Sequence, residues 1–456
     1  SIASLISSKR SEQNHKWRFF VTREGLWSSE TEDQEQADLI GADVQDTIAF
    51  LGTNTGFSSA MELIKDKMKE FIVTGETAGF SERERMLLNW GAPLDLSDDA
   101  IAATKTLIRK RMFLSVSTVE EAAKNGAFLD AALDAEGRTA MHEAAMWNNA
   151  DVITALVEAG ADINARAGDG SRPLHLAVIL EIEKAFTALL ELGADVNANS
   201  GGGVTALHMA AMTGKLDMLP ILLEAGANVS ATTNNGYTPL LSGVKRGQAD
   251  AVAALIKAGA TVDATCEDGK TAFHLLAQGV EEGLEATIKV LLDAGADIHA
   301  PKDDGGAPIF SAATAEAVAA LAKGGADLHA QIMSMTPLHA IAANANREDV
   351  IAALVEAGAD VNAYGEKEDG FTPLHVAAMH DSPTSIAALV KAGANVNAKQ
   401  KKEELTALDW AALLGRERSA AALVDAGAEI TSLAEYLAEK HPKVLAILKA
   451  AQQKEL

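Results

Sequence analysis

The amino-acid sequence predicts an all-α solenoid of stacked helix-turn-helix units, and the first evidence is a short motif that ends in histidine. This motif occurs six times, five of them directly after a threonine, at residues 140–142, 173–175, 206–208, 272–274, 337–339 and 373–375. Two residues before each threonine position stands a glycine or its replacement, at Gly137, Gly170, Gly203, Gly236, Gly269, Gly305, Ser334, Gly370 and Glu404. These positions are 33 residues apart four times and then 29 to 36 apart. Such a period is typical of a stacked repeat architecture.

A second motif, built around Gly-Ala-Asp, recurs in register at residues 159–164, 192–197, 225–229 and 357–362. Between the two motifs lie two apolar-periodic stretches, such as 208–213 and 216–224, which predict a pair of short antiparallel helices. Proline at a helix start and glycine just past a helix end mark the boundaries of each unit. The two motifs together resemble those of ankyrin repeats, in about nine units over roughly residues 116–430. The resemblance implies an ankyrin-repeat solenoid that acts in protein binding.

Small and aliphatic residues at fixed places in each unit predict one apolar seam between neighbouring units. Alanine pairs allow the helices to approach closely, and the seam is expected to be filled by Leu156, Leu189, Leu222, Leu255, Leu291, Leu354 and Leu389. One unit departs from the pattern, because residues 307–310 read Ala-Pro-Ile-Phe where Thr-Pro-Leu-His is usual. This departure predicts a locally weaker stack, through a bend, a contact site or simple sequence drift.

The flanks of the repeats lack both motifs and define the remaining domains. Residues 1–114 predict a helical N-terminal segment of unknown role, with helices over 58–73, 86–90 and 97–111. The beginning of this segment is interpreted as a partner-binding arm, as the remnant of a targeting sequence or as a poorly ordered terminus. Residues 115–430 form the predicted solenoid. Residues 431–456 predict two capping helices, the first opened by a Ser432 and Glu435 capping box, because a solenoid needs polar-faced ends.

Composition excludes several classes of function. A net charge of −25 argues against nucleic-acid partners, whose phosphates attract clustered Lys and Arg. The acidity favours either a basic partner or a solvated face that keeps the chain soluble. The single cysteine, Cys266, excludes an internal disulfide and multi-thiolate metal sites. No apolar run approaches the roughly 18 residues of a membrane span. The sequence thus predicts neither a metal nor a cofactor.

Histidine and glycine patterns offer apparent chemistry that the repeats explain better. Six of the 11 histidines occupy the motif position, where the ankyrin resemblance implies a hydrogen bond to the backbone of a neighbouring unit. Residues 269–271, Gly-Lys-Thr, imitate the end of a phosphate-binding loop, but the required first glycine is replaced by Ala264. We therefore predict no catalytic residue in the repeats.

The resemblance also implies a partner-binding surface, made of the residue before each threonine position and the two residues after each alanine pair. In this chain those positions hold Met146, Trp147, Ile179, Leu180, Met212, Thr213, Tyr237, Lys245, Arg246, Met335, Phe371, Met379, His380, Leu405, Leu413 and Leu414. Large apolar side chains at water-exposed places indicate a binding patch. The alternative is that some of them pack on adjacent units or on the N-terminal segment.

These observations predict a non-catalytic scaffold or adaptor for a protein partner of unknown identity, alone or as a subunit of a larger complex. The alternative is an enzyme or enzyme regulator whose activity lies in residues 1–114, with the repeats recruiting substrate; a self-assembling structural protein is a third possibility. We expect an intracellular, soluble protein in the cytoplasm. Because the chain starts at Ser1, an organelle lumen (plastid or mitochondrion) reached after transit-peptide removal is the alternative compartment.

Overall fold

The computed structural model describes residues 20–22, 25–27, 82–93, 95–280, 282–366 and 369–455. Helices dominate these residues, which confirms the predicted all-α repeat fold. Two short strands, β1 (Phe20–Thr22) and β2 (Gly25–Trp27), pair antiparallel with Phe20 opposite Trp27, and the sequence analysis predicted neither of them. The chain divides into two compact units, unit 1 (Ser1–Ala210 with Pro220–Asn228) and unit 2 (Ala211–Leu219 with Val229–Leu456).

Each repeat contributes two helices, here called its first and second helix. The first helices are α4 (Ala140–Met146), α6 (Pro173–Ile179), α8 (Ala206–Thr213), α10 (Pro239–Val244), α12 (Ala272–Ala277), α15 (Pro337–Ala342), α17 (Pro373–Met379) and α19 (Ala407–Leu414). The second helices are α5 (Ala150–Glu158), α7 (Glu183–Glu191), α9 (Met218–Glu224), α11 (Ala249–Lys257), α13 (Leu284–Asp293), α14 (Ala315–Lys323), α16 (Glu348–Glu356), α18 (Pro383–Lys391) and α20 (Glu417–Asp425). The flanking helices are α1 (Glu82–Asn89), α2 (Asp98–Lys110), α3 (Val116–Lys124), α21 (Ser432–Ala438) and α22 (Pro442–Glu455).

The irregular repeat replaces its first helix with a short 3-10 helix, Pro308–Ser311, that precedes α14. Its sequence lacks both the motif threonine and the motif histidine, whereas every other first helix keeps at least one of them, so the usual start is not available. Pro308 and Ile309 are nevertheless buried, which keeps the apolar seam of unit 2 filled at this point. The departure predicted from the sequence is therefore a change of helix type.

The flanking segments agree with the predictions in part. In α2, the Ser97 hydroxyl accepts the Ala100 N–H at 3.2 Å, as a helix-capping residue should. The predicted helix over 58–73 and the capping box begun by Ser81 lie outside the described residues. At the C-terminus the prediction was wrong about the cap, because Thr431 and not Ser432 accepts the Ala434 N–H.

Leucine side chains fill the seam between repeats, as predicted. All seven leucines expected there are fully buried, from Leu156 in α5 to Leu389 in α18. The alanine pairs of the first helices, such as Ala144 with Ala145, are buried as well. A helix pair of this length cannot hide its apolar side by itself, so each repeat depends on contact with its neighbours.

The motif histidines connect successive repeats through both ring nitrogens. In α4, His142 Nδ1 accepts the Thr139 N–H at 3.1 Å, and His142 Nε2 lies 3.2 Å from the carbonyl oxygen of Ser171 in the next repeat. Since Nδ1 accepts, the proton of the neutral ring is on Nε2 and is donated to that carbonyl. Equivalent pairs join His274 to Gly306, His339 to Phe371 and His375 to Leu405, while His175 Nε2 faces the carbonyl oxygen of Ala198, earlier in the connecting segment. The structural role predicted for these five histidines is confirmed.

The turns after the second helices form a parallel set of connections. The side-chain oxygen of Asn164 accepts the Asp195 N–H at 2.9 Å, and that of Asn362 accepts the Asn395 N–H at 2.7 Å. In each case the acceptor closes one repeat and the donor belongs to the next. Backbone N–H groups at the turns are therefore satisfied by side chains of neighbouring repeats, as buried or ordered amides require.

Burial lowers the pKa of the motif histidines, because an imidazolium loses its hydration in the seam. The pKa falls to about 4 for His142 and His175, and it is also lowered for His274, His339 and His375. The fold therefore needs these rings to be neutral.

We predict that the protein loses stability as the pH falls from about 7 to 5. An unfolded histidine titrates near pH 6.5, whereas the folded pKa is lower, so the unfolded chain binds protons that the folded chain does not. The stabilisation is complete above pH 6.5 and is lost as the pH falls toward about 4. His142 and His175 should each contribute up to about 2 kcal/mol over this range, measurable as the urea midpoint by circular dichroism.

The control for this prediction exists within the chain, because Leu241 occupies the histidine position of its own repeat and is fully buried. A His142→Leu variant should remain folded, be less stable at pH 7 through its lost hydrogen bonds, and show a shallower pH dependence. An unchanged pH dependence would contradict the role assigned to His142.

Candidate partner-binding surface

The predicted surface residues lie at two places in the repeat, the turn before each first helix and the end of that helix. Met146 is the last residue of α4 and Trp147 caps it, while Ile179 and Leu180 take the same places in α6. Tyr237 lies in the turn before α10. In each repeat, the position of these residues is therefore set by where the first helix begins, at the threonine, and where it ends, after the alanine pair.

In unit 1 the predicted residues form an exposed apolar group at the ends of α4 and α6. Trp147 is 56% exposed and Ile179 is 41% exposed, while Met146 is half-buried. The Trp147 indole N–H donates to Glu143 Oε2 at 3.1 Å, which fixes the ring at the surface. Helices α4 and α6 pack directly against each other, so the two side-chain pairs belong to one surface.

Sequence reasoning missed two apolar residues beside this group. Met112 and Phe113 belong to a 3-10 helix, Arg111–Phe113, that contacts α4, and Phe113 is 83% exposed. They lie outside the repeat motifs, so motif positions could not reveal them. The signal available in the sequence was a pair of large apolar residues, Met112 and Phe113, directly after the basic end of the predicted helix over 97–111.

In unit 2 a basic and aromatic group lies at the start and end of α10. The Lys245 ammonium nitrogen is 4.9 Å from the centre of the Tyr237 ring, a cation–π contact. Lys245 and Arg246 are exposed, and Tyr237 is half-buried. Arg246 also lines a cleft of about 560 Å³ with the half-buried predicted residues Met212 and Thr213.

A second group in unit 2 is more apolar. Its predicted members Met335, Leu413 and Leu414 are exposed, as is His380, whereas Met379 is half-buried. Phe371 is half-buried too, because its ring meets the Trp410 ring edge-on at 5.4 Å between centres. Sequence reasoning missed Trp410, which stands one position after the motif place and supports Phe371.

Leu405 does not have the exposure that the sequence analysis expected. It is only 9% exposed and belongs to the core of unit 2. Its carbonyl oxygen accepts the Gln400 N–H at 2.9 Å and faces His375 Nε2 at 3.0 Å. These two contacts fix the Leu405 carbonyl group, and the side chain packs inward, so Leu405 is removed from the candidate surface.

Chemistry other than binding has little support among the described residues. They contain no group of three or more His, Cys, Asp or Glu that could hold a metal ion. Cys266 is buried, and burial raises the pKa of its thiol, so the reactive thiolate is disfavoured at neutral pH. None of the described helices combines the length and the hydropathy needed to cross a bilayer.

Comparison with known proteins identifies the family. A family model described as ankyrin repeats (3 copies) matches overlapping segments at residues 114–200, 174–268, 207–302, 273–365, 309–400 and 363–434. The chain therefore belongs to the ankyrin repeat family. A search of the curated proteins finds no match. Among solved structures, the ankyrin repeat domain of Bcl-3, described as a unique member of the IkappaB protein family, matches at 27% identity and a TM-score of 0.42, covering 47% of this chain and 97% of that chain.

We predict that Phe371→Ala lowers the free energy of unfolding by about 2 kcal/mol, because it removes a half-buried ring from its contact with Trp410. Met335→Ala, at an exposed position of the same group, should change it by no more than about 0.5 kcal/mol. Urea titrations followed by circular dichroism would measure both values. Equal effects in the two variants would contradict the separation of supporting from exposed residues.

Proposed function

We propose that this chain is a non-catalytic scaffold or adaptor that binds a partner protein through the candidate surface of its repeats. Ankyrin repeats are in general protein–protein interaction modules, and the family match gives the chain that general character. The proposal goes further, to a scaffold role, to particular residues, and to the absence of catalysis. Its residues are those of the sequence analysis without Leu405, together with Met112 and Phe113.

The observation that carries the proposal is the exposed group around Trp147 in unit 1. Trp147, Ile179 and Leu180 leave apolar area in water at adjacent helix ends, and Phe113 is exposed on the 3-10 helix that contacts α4. Exposed clusters of this kind are unfavourable for a monomer in solution and are typical of interfaces. Tryptophan, moreover, is the residue type that most often dominates binding energy. The hydrogen bond to Glu143 holds the indole in place, so less side-chain freedom is lost when a partner binds.

The chain provides a closely matched control for this surface. Ile179, at the end of α6, and Ile221, in the second helix α9, are 41% and 40% exposed and both belong to unit 1. The same substitution by alanine removes similar exposed area at both places. Only Ile179 lies in the candidate surface, so the pair separates the position from the residue type.

We expect Trp147→Ala to weaken binding by about 30-fold, the equivalent of about 2 kcal/mol, and Ile179→Ala to weaken it to a smaller extent. Ile221→Ala should bind like the unchanged chain. The partner would be recovered by affinity purification with the full chain, identified by mass spectrometry, and titrated against each variant after its melting temperature is shown to be unchanged. Equal binding by the Trp147→Ala and Ile221→Ala variants would contradict the proposed surface.

A further inference from the structure

Positive charge on the candidate surface of unit 2 is concentrated at two adjacent residues. Lys245 caps the C-terminal end of α10, Arg246 follows it, and both are exposed. Neither forms an ion pair with any carboxylate that the structure describes, although other lysines of the turns do, for example Lys270 with Asp268 at 3.0 Å. The two cations are thus available to an external anion.

The first helices of unit 2 do not neutralise this charge. Across α10, α12, α15, α17 and α19 the single carboxylate is Asp409, which is buried and accepts the Thr406 N–H at 2.8 Å. The second helices of the same unit carry several acids, including Asp250, Glu285 and Glu356. Although the chain has a net charge of −25, these five first helices therefore carry no exposed carboxylate. Charge complementarity then favours an acidic group in whatever binds there.

The lysine at position 245 is not required by the helix that it caps. The Lys245 N–H donates to the Leu241 carbonyl, and in α6 the Leu180 N–H donates to the Leu176 carbonyl in the same way. The residue that caps the helix is Leu180 in α6 and His380 in α17, so an aliphatic chain or an imidazole serves there equally well. The lysine charge can stabilise the C-terminal end of α10 through the helix dipole, but other first helices form without such a charge at this position.

The surroundings of the two cations differ. The Lys245 ammonium nitrogen lies over the face of the Tyr237 ring, and the residue remains exposed to solvent. Arg246 shares its cleft with the carboxyl-bearing residues Asp250 and Glu282 and with apolar Leu216. Lys245 and Arg246 thus place two adjacent, exposed positive charges at the end of α10, with Asp250 and Glu282 on the Arg246 side.

We propose that the partner of unit 2 is an acidic protein segment, with a side-chain carboxylate against Lys245 and Arg246 and apolar side chains that reach Met335 and Met379. This inference rests on the proposed function, since it names the chemistry of the partner that binds there. Repeats are spaced by about 10 Å, so the four repeats from Gly236 to Gly370 span about 40 Å. An extended segment of about twelve residues covers that distance.

The test is a selection from a phage-displayed library of random twelve-residue peptides on the immobilised full chain. The unchanged protein should enrich peptides that combine Asp or Glu with aliphatic or aromatic residues. The charge-reversed variant Lys245→Glu/Arg246→Glu should lose the acidic preference. In solution, by fluorescence anisotropy, it should bind a selected peptide at least about fivefold more weakly, with the loss reduced in high salt.

A matched control keeps the net charge of the variant the same. Lys257 in α11 and Lys289 in α13 are exposed on second helices of unit 2, so Lys257→Glu/Lys289→Glu makes an equal charge change away from the candidate surface. This control should retain the acidic preference and the affinity. A third variant, Met335→Ala, should weaken the selected peptides without changing their acidic preference.

The outcomes separate the two proposals. Peptides that bind, that lose affinity in Met335→Ala, and that show no acidic preference would overturn the inference and leave the proposed function in place. Equal losses in both charge-reversed variants would also overturn it, because the effect would then be one of net charge. Failure to select any peptide that is sensitive to Met335→Ala would contradict the proposed function for unit 2, and the inference with it.

Discussion

The structure depends on a buried hydrogen bond from an uncharged histidine to the backbone of the next repeat. Each helix pair is too small to bury its apolar side alone, so it must be held against a neighbour in one register. The seam leucines provide most of the favourable free energy, but apolar contact is non-directional. The imidazole adds direction, since Nδ1 sets the start of its own helix while Nε2 reaches the carbonyl of the following turn. Register and stability thus come from different groups.

The same division of roles explains why a surface is left for binding. Because leucine and alanine side chains bury one side of each first helix, most residues at its end and in its turn can vary without loss of the fold, with Leu405 and Phe371 as exceptions. The chain uses that freedom differently in its two units. Unit 1 places tryptophan and isoleucine there, whereas unit 2 adds two cations next to a tyrosine. In the proposed function, the residues that select a partner therefore stand mostly at positions that the fold does not constrain.

Asp409 shows that a residue other than histidine can connect a repeat to the next segment. It occupies the histidine position of the last first helix, accepts the Thr406 N–H at 2.8 Å, and also accepts from the Thr431 hydroxyl at 3.4 Å. A carboxylate lacks the N–H that imidazole donates to a carbonyl, so its partner in the next segment must be a donor. Thr431, which caps α21, is that donor. The hydrogen bond to the terminal segment therefore runs in the opposite direction to the one that a motif histidine donates.

Sequence alone determined the helix pairs, their boundaries, the seam leucines and the role of the motif histidines, because each depends on residue type at a fixed spacing within about 33 residues. It also predicted the positions of the candidate surface, where most of the side chains are exposed or half-buried. What it could not decide was the exposure of individual side chains there. The Leu405 side chain is buried while its carbonyl oxygen accepts from Gln400 and His375, Phe371 is half-buried by Trp410, and Phe113 lies on a 3-10 helix that contacts α4 from outside the repeats. Those outcomes depend on contacts between residues distant in sequence, which only the tertiary structure brings together.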